Sequence, residues 1–286
     1  MLVRRQDLPG HAAGPQAKAL EPMQWHAEAI WQAVVPSLAG FTVEVLPQID
    51  STNTELMRRA KAGQLDPVLL VAEHQTAGRG RLGRQWHSEG AGTGAIRALA
   101  FSLGLPLAPA RWSGLSLAVG VSVAQSLHPD LRLKWPNDIW LHDRKLGGIL
   151  IETGSFGDVR YAVIGVGINI APRDAVGLST PPAWLQEVVP DVEAGQALMQ
   201  IVPALVRTIQ SFEAQGFAAF QGRFNALDLL AGRTVVCSDG TTGCAAGADG
   251  AGALRVQTAA GLRKITSSEV SVRPAPAGIE ASARPC

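Results

Sequence analysis

Five short stretches of this chain gather residues that can handle an anion or orient a small polar group. Gln75–Trp86, QTAGRGRLGRQW, holds Arg79, Arg81 and Arg84 among Gly78, Gly80 and Gly83, in a chain of which only 17% is charged. Arginine offers a fixed cationic fork that matches carboxylate and phosphate, and glycine lets backbone N–H groups come close to a ligand. Lys134–Asp138, KWPND, puts a Lys, an Asn amide and a carboxylate on a turn stiffened by Pro136, a set suited to a phosphate and a hard cation. Lys145–Glu152, KLGGILIE, sets an ammonium before a Gly pair and a buried run, where it can reach a cleft beside a sheet. Gly165–Asn169, GVGIN, places two Gly inside a strand-like run, a pattern that marks close approach of a ligand or another backbone. Asp50–Asn53, DSTN, supplies hydroxyls and an amide at a helix start. Each stretch alone also has a plain explanation: a solvated basic loop, a β-turn, a charged hairpin, a helix cap.

The elements that must position these groups read in order. Residues 23–38 have helical spacing. Phe41–Ile49 alternates as a strand, and the helix after Asp50–Asn53 is closed by Gly63. Pro67–Glu73 is a short buried strand feeding the Arg/Gly loop. A strand-like run follows through Ala100, Phe101 and Leu103, then a long apolar helix over 110–127. Strands are expected at 131–135, 139–142 and 161–170, and Lys145–Thr153 is expected to begin as a turn and become strand. Glu193–Gln215 is a helix. From residue 230 the chain changes to short alternating runs every eight to twelve residues, at 234–237, 242–245, 253–258, 261–265 and 270–272, which suggests a small β-barrel.

Composition narrows the classes. The 286 residues carry 25 Lys and Arg against 24 Asp and Glu, so no overall basic excess favours nucleic acid or a membrane surface. No run reaches the length of a membrane span, and the basic N-terminus lacks the apolar stretch of a secretory signal. The expected location is cytoplasmic. Three Cys with no His cluster beside them do not make a zinc site.

Order and spacing together are specific where single motifs are not. Through DSTN, HQTAGRGRLGRQW (His74–Trp86), KWPND, KLGGILIE and GVGIN the chain resembles the biotin–protein ligases, from about Thr42 to Val272. The resemblance implies an α+β fold: a mixed sheet flanked by helices in a class II synthetase-like catalytic domain, with a small SH3-like C-terminal barrel. It implies a disordered leader over 1–22, a catalytic domain over 23–227, a second domain over 228–273 and a flexible tail over 274–286. The implied activity joins biotin to ATP, giving biotinoyl-5'-AMP and pyrophosphate, then passes biotin to one Lys of a biotin carboxyl carrier domain of a carboxylase.

By similarity, biotin should be bound by Ser51, Thr52, Asn53, Gln75, Arg79, Gly80, Arg81, Lys145 and Gly148. ATP should be bound by Arg79, Arg81, Arg84, Trp86, Lys134, Asn137 and Asn169. Lys145, Arg81 and Asp138 are the expected catalytic groups, Asp138 also facing Mg²⁺, and Trp86 should pack the base of the loop. One helix before the catalytic region resembles the form without a DNA-binding domain, so neither DNA nor a membrane is an expected partner, and the chain should be a monomer or a homodimer. A lipoate–protein ligase, which shares fold and adenylate chemistry, is the near alternative. A nucleic-acid-binding module built on the three loop arginines is the distant one. Two stretches depart from the family pattern: the Gly-rich HSEGAGTG after Trp86, and Ser267-Ser268 before Glu269-Val270, where a Gly is usual.

Overall fold

The computed structural model describes residues 23–86, 96–172, 180–266 and 272–274. The expected leader, the Gly-rich stretch after Trp86, the Ser267–Val270 turn and the tail beyond 274 lie outside the described residues.

Seven strands form the main sheet: β1 (Thr42–Ile49), β2 (Val68–Gln75), β3 (Ala98–Pro106), β4 (Arg132–Lys134), β5 (Asp138–Leu141), β6 (Arg144–Phe156) and β7 (Val159–Asn169). Their spatial order is β1-β2-β3-β7-β6-β5-β4. Only the β1–β2 pair is parallel; the other neighbours run antiparallel. Helix α2 (Thr52–Lys61) makes the crossover between the two parallel strands, and α1 (Ala27–Val34) precedes them. Helices α3 (Leu115–Leu127), α4 (Ala194–Gln215) and α5 (Gln221–Leu227) complete the layer against the large core.

Two expectations shift. Helix α3 starts at Leu115, five residues later than the apolar run suggests, because Pro109 and Gly114 (φ +84°) hold the approach in turn. Lys145 is already in strand β6, locked by backbone hydrogen bonds to Pro181 and Ala183.

The alternation of β7 explains the architecture. Ala162, Ile164, Val166 and Ile168 point into the large core under α3 and α4. Tyr161 and Val163 point the other way, into a smaller cluster with Leu56 and Ala60 of α2. Further along that same face the side chains shrink to Gly165 and Gly167. Cross-strand partners repeat the change: Ser102 and Leu150 flank Gly165, while Ala100 and Gly148 flank Gly167. One face of the sheet is thus packed at one end and hollowed at the other. Both halves of the strand stay buried, so hydrophobic pattern alone does not separate them.

The C-terminal sheet holds β8 (Thr234–Cys237), β9 (Thr242–Ala248), β10 (Leu254–Thr258), β11 (Gly261–Ile265) and β12 (Val272–Pro274), in the order β11-β10-β9-β8-β12. All its pairs are antiparallel, in keeping with an SH3-like unit. It is pinned to the main sheet by the Trp135 indole, which donates to the Gly252 carbonyl at 3.0 Å, and by backbone pairing of Leu133 with the Asp228–Leu229 segment.

Candidate active site

The hollow end of the sheet opens into a cleft of about 630 Å³, a size suited to a small ligand. Its floor is the run of small residues on β3, β6 and β7. Its walls are the start of α2, the Arg/Gly loop, the β4–β5 turn and part of the C-terminal sheet.

One wall is neutral and densely hydrogen-bonded. Ser51 caps α2, accepting from the Thr54 N–H at 3.4 Å. Thr52 donates to Gln75 Oε1 from both its backbone N–H (2.8 Å) and its hydroxyl (3.2 Å). Ser102 donates within reach of both Thr52 Oγ1 (2.7 Å) and Asn53 Oδ1 (2.6 Å). The Asn53 amide reaches across the sheet, its Nδ2 donating to the Leu150 carbonyl and to Glu152. That reach needs Gly165: a Cβ there would lie 2.1 Å from Asn53 Oδ1. Ser51, Thr52, Asn53, Gln75 and Ser102 are all buried, and buried polar groups of this kind need their partners.

The opposite wall is charged. Asp138 lies between two ammonium groups, its Oδ1 accepting from Lys145 Nζ at 2.7 Å and its Oδ2 standing 3.9 Å from Lys134. Lys134 also sits 5.2 Å from the Trp140 ring centre. Burial pushes the Lys134 ammonium below its usual range; Asp138 opposes the shift, and Lys145, Arg84 and Arg273 add to it. Burial likewise lowers the Arg81 guanidinium, with Asp138 opposing and Arg84 adding. Arg81 Nη1 donates to Asn137 Oδ1 at 3.2 Å, and Asn137 is fixed to β6 through the Ile149 carbonyl. Positive charge is therefore concentrated, half desolvated and only partly offset by Asp138, an arrangement that favours a polyanion.

The Arg/Gly loop is a narrow hairpin. The Trp86 N–H donates to the Gly78 carbonyl and the Gly80 N–H to the Arg84 carbonyl. At its tip Leu82 has φ +57° and is exposed. The Trp86 ring rests on the sheet at Gly167, where a Cβ would stand 2.4 Å from the indole. This fits the expectation that Trp86 packs the loop base, and puts its ring in the cleft wall as well.

Every expected site residue lines this cleft, but three of them are engaged elsewhere in the fold. Arg79 does not point into the cationic group: its guanidinium forks onto Glu152 at 2.9 and 3.3 Å and reaches Thr54. Asn169 Nδ2 donates to the Ala183 carbonyl at 2.9 Å and to Lys145 at 3.4 Å, tying the 180–183 segment to β6. Asn53 is committed to Ser102, Leu150 and Glu152. Sequence reading missed Ser102, Trp140, Glu152 and the C-terminal residues Arg233 and Arg273 as parts of the wall or its supports. The one available signal for Ser102 was its alternation with Ala100 and Gly104, three small residues on one face.

Asp138 was also expected to face Mg²⁺. Its two oxygens already serve lysines, and no group of three or more His, Cys, Asp or Glu among the described residues could hold a metal. By themselves these side chains form no all-protein metal cage, and a Mg²⁺ ion bound through one carboxylate and substrate phosphates would not need one.

Comparison with known proteins identifies the site's lineage. Residues 45–169 match the Biotin/lipoate A/B protein ligase family. The chain is 36% identical over 255 residues to the bifunctional ligase/repressor BirA of Escherichia coli, covering 85% of this chain and 77% of that protein. It is 33% identical to the biotin--[acetyl-CoA-carboxylase] ligase of Paracoccus denitrificans, covering 79% and 98%. The chain belongs to the biotin–protein ligase family. A solved structure of the Aquifex aeolicus biotin protein ligase in complex with biotin and ATP superposes with a TM-score of 0.68 at 28% identity, covering 82% of this chain and 99% of that one. The family's mixed sheet, helical layer and C-terminal sheet are those described above. No described helix is long and apolar enough to cross a membrane.

Proposed function

We propose that this biotin ligase activates the biotin carboxylate with ATP and passes the biotinoyl group to a Lys of a carboxylase's biotin carrier domain. The observation that carries the reading is the continuity of one cleft, in which a neutral hydrogen-bonding wall faces a cluster of Arg81, Arg84, Lys134 and Lys145 across a floor of small residues.

The two walls divide the work. A bicyclic ureido head needs donors and acceptors at fixed positions and an apolar slot, which Ser51, Thr52, Gln75 and the Gly165–Gly167 floor supply. In the first step a carboxylate oxygen attacks the α-phosphorus, the bond to pyrophosphate breaks, and a mixed anhydride forms. Carboxylate and triphosphate repel each other, so the residues that lower this barrier are cations placed before reaction. Lys145 is assigned to the oxygens at the reacting carboxyl, Arg81 to the adenylate phosphate, and Arg84 and Lys134 to the departing pyrophosphate. Asp138 holds Lys145 and Lys134 in place between turns. Asn137 orients Arg81, and Asn169 shapes the nucleotide side by fixing the 180–183 segment. Mg²⁺, on this reading, arrives with the triphosphate. In the second step a neutral ε-amine attacks the acyl carbon and AMP leaves. The Arg/Gly hairpin covers the anhydride against water until then.

The test is ATP–pyrophosphate exchange by the purified chain. Exchange that depends on biotin is expected; exchange driven by lipoate and not biotin would overturn the substrate assignment.

A further inference from the structure

Beside the cleft, behind its lining residues Asn53 and Arg79, stands a carboxylate that the reaction above does not use. Glu152 lies on β6 in the face row next to Leu150, beside the neutral wall. Its Oε1 accepts from Arg79 Nη2 at 2.9 Å, and its Oε2 accepts from Arg79 Nη1 at 3.3 Å and from Asn53 Nδ2 at 3.0 Å. Arg79 is completed by Thr54 Oγ1 at 3.2 Å. One carboxylate therefore joins the rising limb of the Arg/Gly hairpin to the start of α2 and to the central sheet. Arg79 pairs with Gln85 across the hairpin, so fixing Arg79 fixes both limbs.

We propose that Glu152 is a positioning residue that latches the Arg/Gly hairpin over the cleft, and that Arg79 serves as the latch's other half and not as a ligand for the substrate anions. The inference rests on the adenylating function assigned above, but concerns how the loop is held. The chemistry is that of a forked guanidinium–carboxylate pair, which fixes direction as well as distance. Arg79 is half exposed and Glu152 about a quarter exposed, so the pair is partly screened by water. That suits a contact that must open to admit biotin and release AMP. Asn53 connects the two tasks, because the amide that accepts from Ser102 in the biotin wall also donates to the latch carboxylate. The Gly78–Gly80 limb is thereby set relative to Thr52 and Gln75, while the cations beyond it, Arg81 and Arg84, reach the other wall.

The experiment compares Glu152→Gln, Arg79→Met and the double variant. Glu152→Gln keeps an acceptor for Asn53 and removes the charge. Arg79→Met cuts the same contact from the solvent side without touching the sheet. In each variant the KM for biotin should rise about tenfold while kcat falls less than about threefold. Retained biotinoyl-AMP should leave about tenfold faster, and tryptic cleavage after Arg81 and Arg84 in the ligand-free chain should accelerate. The double variant should be no worse than either single one, as for two halves of one contact. Additive losses, unchanged cleavage, or a lower KM in Glu152→Gln would overturn the proposal; the last would show Arg79 to be a substrate ligand that Glu152 sequesters. If the wild-type chain does not turn biotin over, the functional reading fails, and the cleavage rates still decide whether the latch exists.

Discussion

The two walls of the cleft are built on opposite physical principles. The neutral wall of Ser51, Thr52, Asn53, Gln75 and Ser102 is satisfied within the protein, each side chain partnered by another or by backbone. The charged wall is not balanced in the same way: Asp138 stands against Arg81, Arg84, Lys134 and Lys145, and burial works against the charge on Lys134 and Arg81. A satisfied buried network stabilises the fold and costs stability when broken. A cluster of like charges gains from its ligand, not from the fold. Mutations on the two sides should therefore separate, one losing stability with biotin affinity, the other losing rate with little loss of stability.

The sharpest break is expected at Lys145→Ala. Pyrophosphate exchange should fall by about 100-fold or more, because a positioned cation acts mainly on developing charge, while thermal stability stays near wild type. Near-normal exchange would remove Lys145 from the reaction. Next comes Gly165→Ala on the neutral side. A Cβ there must displace Asn53, and the expected cost is about 3 kcal/mol in urea unfolding together with weaker biotin binding. Unchanged stability would show that the wall is not the rigid network described.

The seam between the two sheets is a control belonging to neither wall. Burial raises the Asp228 carboxyl to about 6, against one opposing hydrogen bond from the Leu230 N–H. An acid whose pKa is raised on folding binds more protons in the native state, so its stabilising contribution is full below about pH 4 and is lost as pH rises through about 6. The loss is at most about 3 kcal/mol. Asp228→Asn should remove that component, gaining stability relative to wild type at pH 7 but not at pH 4. An equal difference at both pH values would contradict it. The smallest effect is expected at Arg81→Ala: release of biotinoyl-AMP about tenfold faster, with a change in melting temperature of no more than about 2 °C. A large melting loss with unchanged retention would place Arg81 in the structural set.

Much of the site was legible because its motifs are local. Backbone N–H groups, a stiffened turn and Arg forks act over a few residues, so the Arg/Gly loop, Lys134–Asp138 and Lys145 all fall in one cleft as expected. The strands Thr234–Cys237 and Gly261–Ile265 also lie where alternation places them. What escaped is long-range. Ser102 reads as a small interruption in an apolar strand until register sets it beside Gly165, Thr52 and Asn53. Arg79, Arg81 and Arg84 look equivalent in sequence, yet Glu152, 73 residues away from Arg79, separates the first from the other two. The second sheet gave no sign in its own sequence that Arg233 and Arg273 would join the cleft wall.

By itself, then, the order of residues determined the chemistry available: which cations, which amides, which glycines, and the family they spell together. Tertiary structure decided how that chemistry was shared out. Pairing across β3, β6 and β7 made the small residues into a floor, and one carboxylate on β6 drew a single arginine of the loop into a forked ion pair. The reason is geometric. A side chain's type fixes what it can bind, but its partner is whichever group the fold brings within about 3 Å.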